Sequence, residues 1–147
     1  MRAYTFVEHI DRPQQRVWDT LVDLPLSPRW RPMIKSMETT DGGPLREGGE
    51  LKVIIQFFGR EHTRISITKV FDPPRRWVLH SLDQPTVGGY FEFIVEPEGT
   101  GTRITATCEL KAKTFLAWLF LPLIARGERE RRKELLGNMK RLVESGP

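Results

Sequence analysis

The side chains able to do chemistry are few and far apart. His9, His62 and His80 are the three histidines, and Cys108 is the single cysteine. None has a partner at metal-ligand spacing, so neither a zinc site nor any other metal or cofactor is expected. No Gly-x-Ser-x-Gly stretch occurs, and Cys108, between Thr107 and Glu109, reads as a small buried hydrophobe. The glycine pairs at 42–43, 48–49 and 88–89 open no helix, so a phosphate-cradling loop is not expected. His9 alternates away from Phe6, and His62 borders a turn; both read as surface residues. His80 is the one candidate acid/base, and only if its strand turns it inward.

Composition narrows the classes. The chain has 147 residues, 39% hydrophobic and 29% charged, which fits one domain over 1–147. A domain of that size buries roughly 70% of its unfolded surface and needs no staple. One cysteine permits no internal disulfide, which suits a cytoplasmic protein. The N-terminus lacks the pattern of a secretory signal. The longest apolar run, 115–125, is broken by Pro122 and falls short of the ~20 residues of a spanning helix. Net charge is +4. Glu128, Glu130 and Glu134 interrupt the basic C-terminal segment, so no nucleic-acid partner is expected.

The elements that must position these groups follow from periodicity. Residues 3–10 alternate, with Tyr4, Phe6, Glu8 and Ile10 on one side. Pro13 suits the first turn of a helix carrying Val17, Trp18, Leu21 and Val22, stopped by Pro25. A short helix or turn over 26–32 carries Trp30. Strands are expected at 33–40, 50–58, 61–71, 77–82, 87–96 and 102–112, joined by Gly and Pro turns as an antiparallel meander. Leu135, Leu136, Met139, Leu142 and Val143 then form one helical stripe. The class is α+β, with helices on one face of an antiparallel sheet.

Alternation assigns an inward face. Val53, Ile55 and Phe57 oppose Lys52 and Gln56; Phe91 and Phe93 oppose Glu92; Ala106, Cys108 and Leu110 oppose Glu109. Ile65, Ile67, Trp77 and Leu79 are assigned inward on the same logic, with 77–82 the strand most open to inversion by a one-residue slip. This lining is apolar and aromatic. It suits a site for a hydrophobic ligand, and it equally suits a filled core.

Several segments together resemble a known superfamily. Val7-Glu8-His9-Ile10-Asp11-Arg12-Pro13 leading to Val17-Trp18-Asp19 is similar to its opening signature. Asp23 and Trp30 stand where it often has an Asp and then a Trp. Asp72-Pro73-Pro74-Arg75-Arg76-Trp77 resembles its mid-sheet turn, and Gly101-Thr102-Arg103-Ile104-Thr105 the start of its last strand. On these residues, spread over essentially the whole chain, the sequence resembles the START/Bet v 1-like (SRPBCC) superfamily, in its polyketide cyclase/dehydrase-like branch. The resemblance implies a helix-grip fold: a curved seven-stranded antiparallel sheet wrapped around a long C-terminal helix, with two short helices after the first strand and a cavity between sheet and helix. It specifies fold more than function.

The functional expectation is a binding domain for a lipid, polyketide or aromatic metabolite, and a non-catalytic one. The expected ligand contacts are Trp30, Val53, Ile55, Phe57, Ile65, Ile67, Trp77, Leu79, Phe91, Phe93, Ala106, Cys108 and Leu110, with Leu119 and Leu123 from the apolar run. A cyclase or dehydratase is the rival, and it would need inward Tyr, Arg, His or Asp. Residues 115–121 are apolar on every side, more than covering a sheet requires. The surplus has three destinations: a cavity mouth, a homodimer or other protein partner, or peripheral membrane contact through Trp118 and Phe120. Alternatively, the 24–32 region covers its second side. The preferred combination is that cover plus a cavity mouth.

Overall fold

The chain opens with β1 (Arg2–Ile10) and turns through α1 (Gln14–Leu21), a 3-10 turn at Leu24–Leu26 and α2 (Ser27–Trp30). It then lays down β2 (Ile34–Thr39), β3 (Glu50–Phe57), β4 (Arg60–Asp72), β5 (Arg76–Ser81), β6 (Val87–Glu98) and β7 (Gly101–Ala112). Residues 134–144 form the C-terminal helix, α3. The computed structural model describes residues 2–57, 59–81, 87–112, 119, 122 and 134–145.

All seven strands form one antiparallel sheet in the order β1-β7-β6-β5-β4-β3-β2. Strands β2 to β7 are a meander. β1 pairs with the far edge, beside β7, so the helical segment 14–30 carries the chain from one edge to the other. With α3 against its inner face, the curved sheet is the helix-grip fold that the sequence motifs imply.

Local chemistry sets the helix ends. Pro13 is the N-cap of α1, in extended conformation, so it lies one position earlier than the first turn. The helix closes at Leu21, where the Val22 N–H donates to Trp18 O at 3.0 Å. Pro25 therefore does not stop α1; it sits in the next 3-10 turn, whose cap is Asp23 Oδ1, accepting from Leu26 N–H at 3.3 Å. α1 buries Val17, Trp18 and Leu21, and Trp18 meets Phe71 of β4 with ring centroids 5.7 Å apart.

One continuous core joins the sheet's inner face to α1, α2 and α3. It includes Ile10, Trp30, Leu51, Val53, Trp77, Leu79, Phe93, Ile104, Leu136, Met139 and Val143. The α3 stripe is the one its spacing predicts: Leu135, Leu136, Met139 and Val143 are buried and Leu142 is partly buried. Polar contacts tie the end of α3 to the first corner. Glu144 Oε2 accepts from the Asp11 N–H at 2.8 Å, and Arg12 donates to Glu144 O at 2.5 Å.

The expected inward face of β4 is inverted. Ser66 pairs with Leu51 and Ile67 with Glu50, so Ile67 shares the outer face, where it is 37% exposed. Ile65, paired with Lys52, is on that same outer face. The cause is an irregularity between Thr68 and Val70, which pair with Leu79 and Val78 and leave Lys69 as the extra residue. An extra residue reverses the alternation. Phe71 still faces inward, and so do Ser66 and Thr68, which are 4% and 0% exposed.

Candidate functional site

A small cavity lies between the inner face and α3. Phe6 of β1, Phe91 and Phe93 of β6, Ala106 and Cys108 of β7 and Leu135 of α3 line it, and its volume is about 10 Å³, of the order of one water molecule. The register explains the grouping. Phe93 pairs with Ala106, which pairs with Phe6, and Phe91 pairs with Cys108, so two adjacent rows of the sheet meet one helix side chain.

Four of the expected ligand contacts, Phe91, Phe93, Ala106 and Cys108, therefore surround one space. Trp30, Val53, Trp77 and Leu79 are buried in the adjoining core, and Ile55 packs against it partly buried. Ile65 and Ile67 face away. Leu119 is 54% exposed and takes no part in the cavity. Leu123, and the side chains of Phe57 and Leu110, lie outside the described residues, as does most of the 115–125 run, with Trp118 and Phe120. Phe6 and Leu135 were legible as inward from alternation and helical spacing, although neither was singled out as a contact.

The interior is more polar than the alternation suggests. Arg31 is 6% exposed. Its guanidinium carbon lies 4.3 Å from the centroid of the Trp30 ring and 5.1 Å from that of Phe93. The end of α2 puts it there. Arg31 N–H donates to Ser27 O at 2.9 Å and Arg31 O accepts from the Ile34 N–H at 2.9 Å, on either side of Pro32. Taking a guanidinium out of water costs several kcal/mol even after relaxation. Ring faces recover about 2 kcal/mol of that when desolvated.

Two further buried polar atoms, Trp30 Nε1 and Ser81 Oγ, have no hydrogen-bond partner among the described residues. Both residues are 0% exposed, and Ser81 shares the inner face with Trp77 and Leu79. Trp77 Nε1, by contrast, donates to Thr68 Oγ1 at 3.3 Å. Trp30 also reaches α3, where Asn138 Nδ2 donates to its carbonyl at 3.4 Å. Leu135 at the cavity and Asn138 at the Trp30 carbonyl thus lie about one turn apart on the same helix.

His80 belongs to the other face. It pairs with Ile67 and Tyr90, and its ring meets Tyr90 edge-on at 4.9 Å. Burial, with the nearby Lys69 charge, holds its imidazole below the ordinary histidine pKa, against a smaller upward pull from Glu109. A neutral ring turned from the cavity is no acid or base for a ligand there. His9 is a surface residue whose Nδ1 lies 2.8 Å from Glu98 Oε1, and His62 is exposed. Among the described residues no group of three His, Cys, Asp or Glu could hold a metal ion. None of the helices described is long and apolar enough to cross a membrane.

Comparison with known proteins agrees with this geometry. The family model described as polyketide cyclase/dehydrase and lipid transport matches residues 1–144. Among solved structures, the protein TTHA0849 from Thermus thermophilus is similar at TM-score 0.79 and 19% identity, over 98% of each chain. A START superfamily protein from Mycobacterium smegmatis is similar at 0.77 and 15%, over 97% of each chain. The di-domain ARO/CYC protein BexL, from the BE-7585A biosynthetic pathway, is similar at 0.77 and 20% over the whole of this chain, which spans 48% of that one. No curated protein matches the sequence.

Proposed function

The chain belongs to the polyketide cyclase/dehydrase and lipid transport family, and from that premise we propose that it binds a hydrophobic small molecule between the sheet and α3. The observation that carries this reading is the pairing of an apolar cavity with buried, unsatisfied polar atoms. Phe6, Phe91, Phe93, Ala106, Cys108 and Leu135 supply the apolar wall. Trp30 Nε1 and Ser81 Oγ lie on the same side of the sheet with no partner among the described residues. Ligand pockets have this composition: mostly apolar, with a few placed polar groups.

The ligand-free cavity is small, so binding requires Leu135 and its helix to move outward. Exposed Leu119 fits the reading in which part of the 115–125 surface serves as a mouth.

The test is a panel of fatty acids, their esters and alcohols, and polycyclic aromatics, read by fluorescence titration and thermal shift. Saturable binding that raises Tm, and that Phe93→Glu abolishes while the variant keeps its circular dichroism spectrum, is the expected result. Absence of saturable binding across the panel would refute the proposal.

A further inference from the structure

We propose that the Phe91 ring is a gate in the cavity wall and that Ser81, behind it, is the polar end of the pocket. With the ring turned off Gly89, the Ser81 hydroxyl hydrogen-bonds a neutral carbonyl or hydroxyl group of the ligand. This rests on the pocket reading above and specifies its ligand.

Three observations support the gate and the polar end. First, Phe91 lines the cavity, and its ring leans back along its own strand over Gly89. A Cβ placed on Gly89 would lie 2.9 Å from the Phe91 Cζ and 3.0 Å from its Cε2. The ring therefore occupies a seat that only a glycine leaves open, which is a role for the second residue of the 88–89 pair. Second, Gly89 pairs directly with Ser81 of β5. Residues opposite each other in a sheet share a face, and Ser81 alternates inward with Trp77 and Leu79. One side of the ring thus bounds the cavity, and the seat it fills adjoins Ser81. Third, Ser81 is 0% exposed and its Oγ has no hydrogen-bond partner among the described residues. A hydroxyl can donate one hydrogen bond and accept two, and a buried one is normally paired. No charged residue lines the cavity. A carboxylate would lose its water there with no cation in the wall to replace it, so the group that meets Ser81 is neutral. Leu135 faces the same cavity as Phe91. Its outward movement also clears the space in which the ring takes another staggered rotamer.

The experiment compares 2-acetylnaphthalene with 2-isopropenylnaphthalene, which match in shape and differ in a carbonyl oxygen against a methylene. Ser81→Ala should weaken binding of the ketone by about three- to tenfold, the size of a neutral hydrogen bond. It should leave the hydrocarbon unchanged, and unchanged hydrocarbon binding also reports that the variant is folded. The infrared carbonyl stretch of the bound ketone should lie at lower frequency in wild type than in Ser81→Ala, which a merely structural serine would not produce. Equal effects of Ser81→Ala on both compounds, or none on either, overturn the polar end while leaving the pocket intact. For the gate, Gly89→Ala keeps the ring and bars its seat, so both compounds should associate faster by stopped-flow fluorescence. Phe91→Leu, too short to reach the seat, should do the same and serves where Gly89→Ala does not fold. Association at the wild-type rate in the folded variant overturns the gate. Binding of neither compound by wild type removes the pocket, and this proposal with it.

Discussion

Trp77 and Thr68 are joined across the β4–β5 boundary by an indole-to-hydroxyl hydrogen bond of 3.3 Å, and both side chains are wholly buried. The register turns Thr68 inward, and the bond gives its buried hydroxyl and the Trp77 indole N–H a partner in each other. Thr68→Val keeps the shape and strands the Trp77 donor. The expected loss is about 1–3 kcal/mol, the cost of an unsatisfied buried group. Urea denaturation should show a lowered midpoint with an unchanged slope, and Thr68→Ser should recover part of it. A valine variant as stable as wild type would mean the bond contributes nothing.

That pair also marks the limit of what the sequence reveals. Strand existence, order and most phases followed from alternation, because one face of each strand is buried and the other is wet. β3, β6 and β7 match their patterns residue for residue where side chains are described. β4 does not, because its odd positions 65, 67 and 71 are all apolar and read as one face, while the extra residue at Lys69 splits them between two. Arg31 was hidden for a different reason. An arginine in a short helical turn is exposed on average, and its packing over the Trp30 and Phe93 rings is tertiary and not legible in the sequence. The α3 stripe was plain in the sequence; the size of the space left under it depends on packing across several elements and was not.

The β1–β7 edge depends on a glycine. A Cβ placed on Gly101 would lie 2.6 Å from the carbonyl oxygen of Ile10 and 2.9 Å from the His9 ring. The ring can move, but the carbonyl belongs to the strand. Gly101→Ala should therefore destabilise the protein by about 1–3 kcal/mol, the usual cost of forcing backbone apart. Equilibrium unfolding measures this, and amide exchange should speed up at Ile10. An alanine variant with wild-type exchange there would show that the edge accommodates the methyl.

Acid should loosen the attachment of α3. Glu144 has its pKa lowered, first by the hydrogen bond from the Asp11 N–H and then by Lys140. A carboxylate whose folded pKa is depressed stabilises the fold above its unfolded pKa, and that contribution is lost as pH falls through the folded value. Glu144→Gln should thus be less stable than wild type at neutral pH. The difference should shrink through the carboxylate range as wild type loses its advantage. Denaturation midpoints measured from neutral pH down to acid check this, and a constant gap between the two proteins would assign the effect to something other than Glu144 ionisation.

Leu135 separates stability from binding. It is 8% exposed, packs in the core, and forms the helix side of the cavity opposite Phe6, Phe91, Phe93, Ala106 and Cys108. Leu135→Ala removes that side chain without adding a polar group. The stability loss should be about 2–5 kcal/mol, transfer plus cavity cost, with the lower end expected if α3 settles inward. If the space is a ligand pocket held closed by Leu135, the same variant should bind small apolar probes such as benzene more tightly than wild type, because the helix no longer has to move. If the space is only imperfect core packing that collapses, stability falls and probe affinity does not rise. Calorimetric unfolding with and without the probe distinguishes the two. Destabilisation with a ligand-dependent recovery of Tm supports the pocket, and destabilisation without it counts against the pocket.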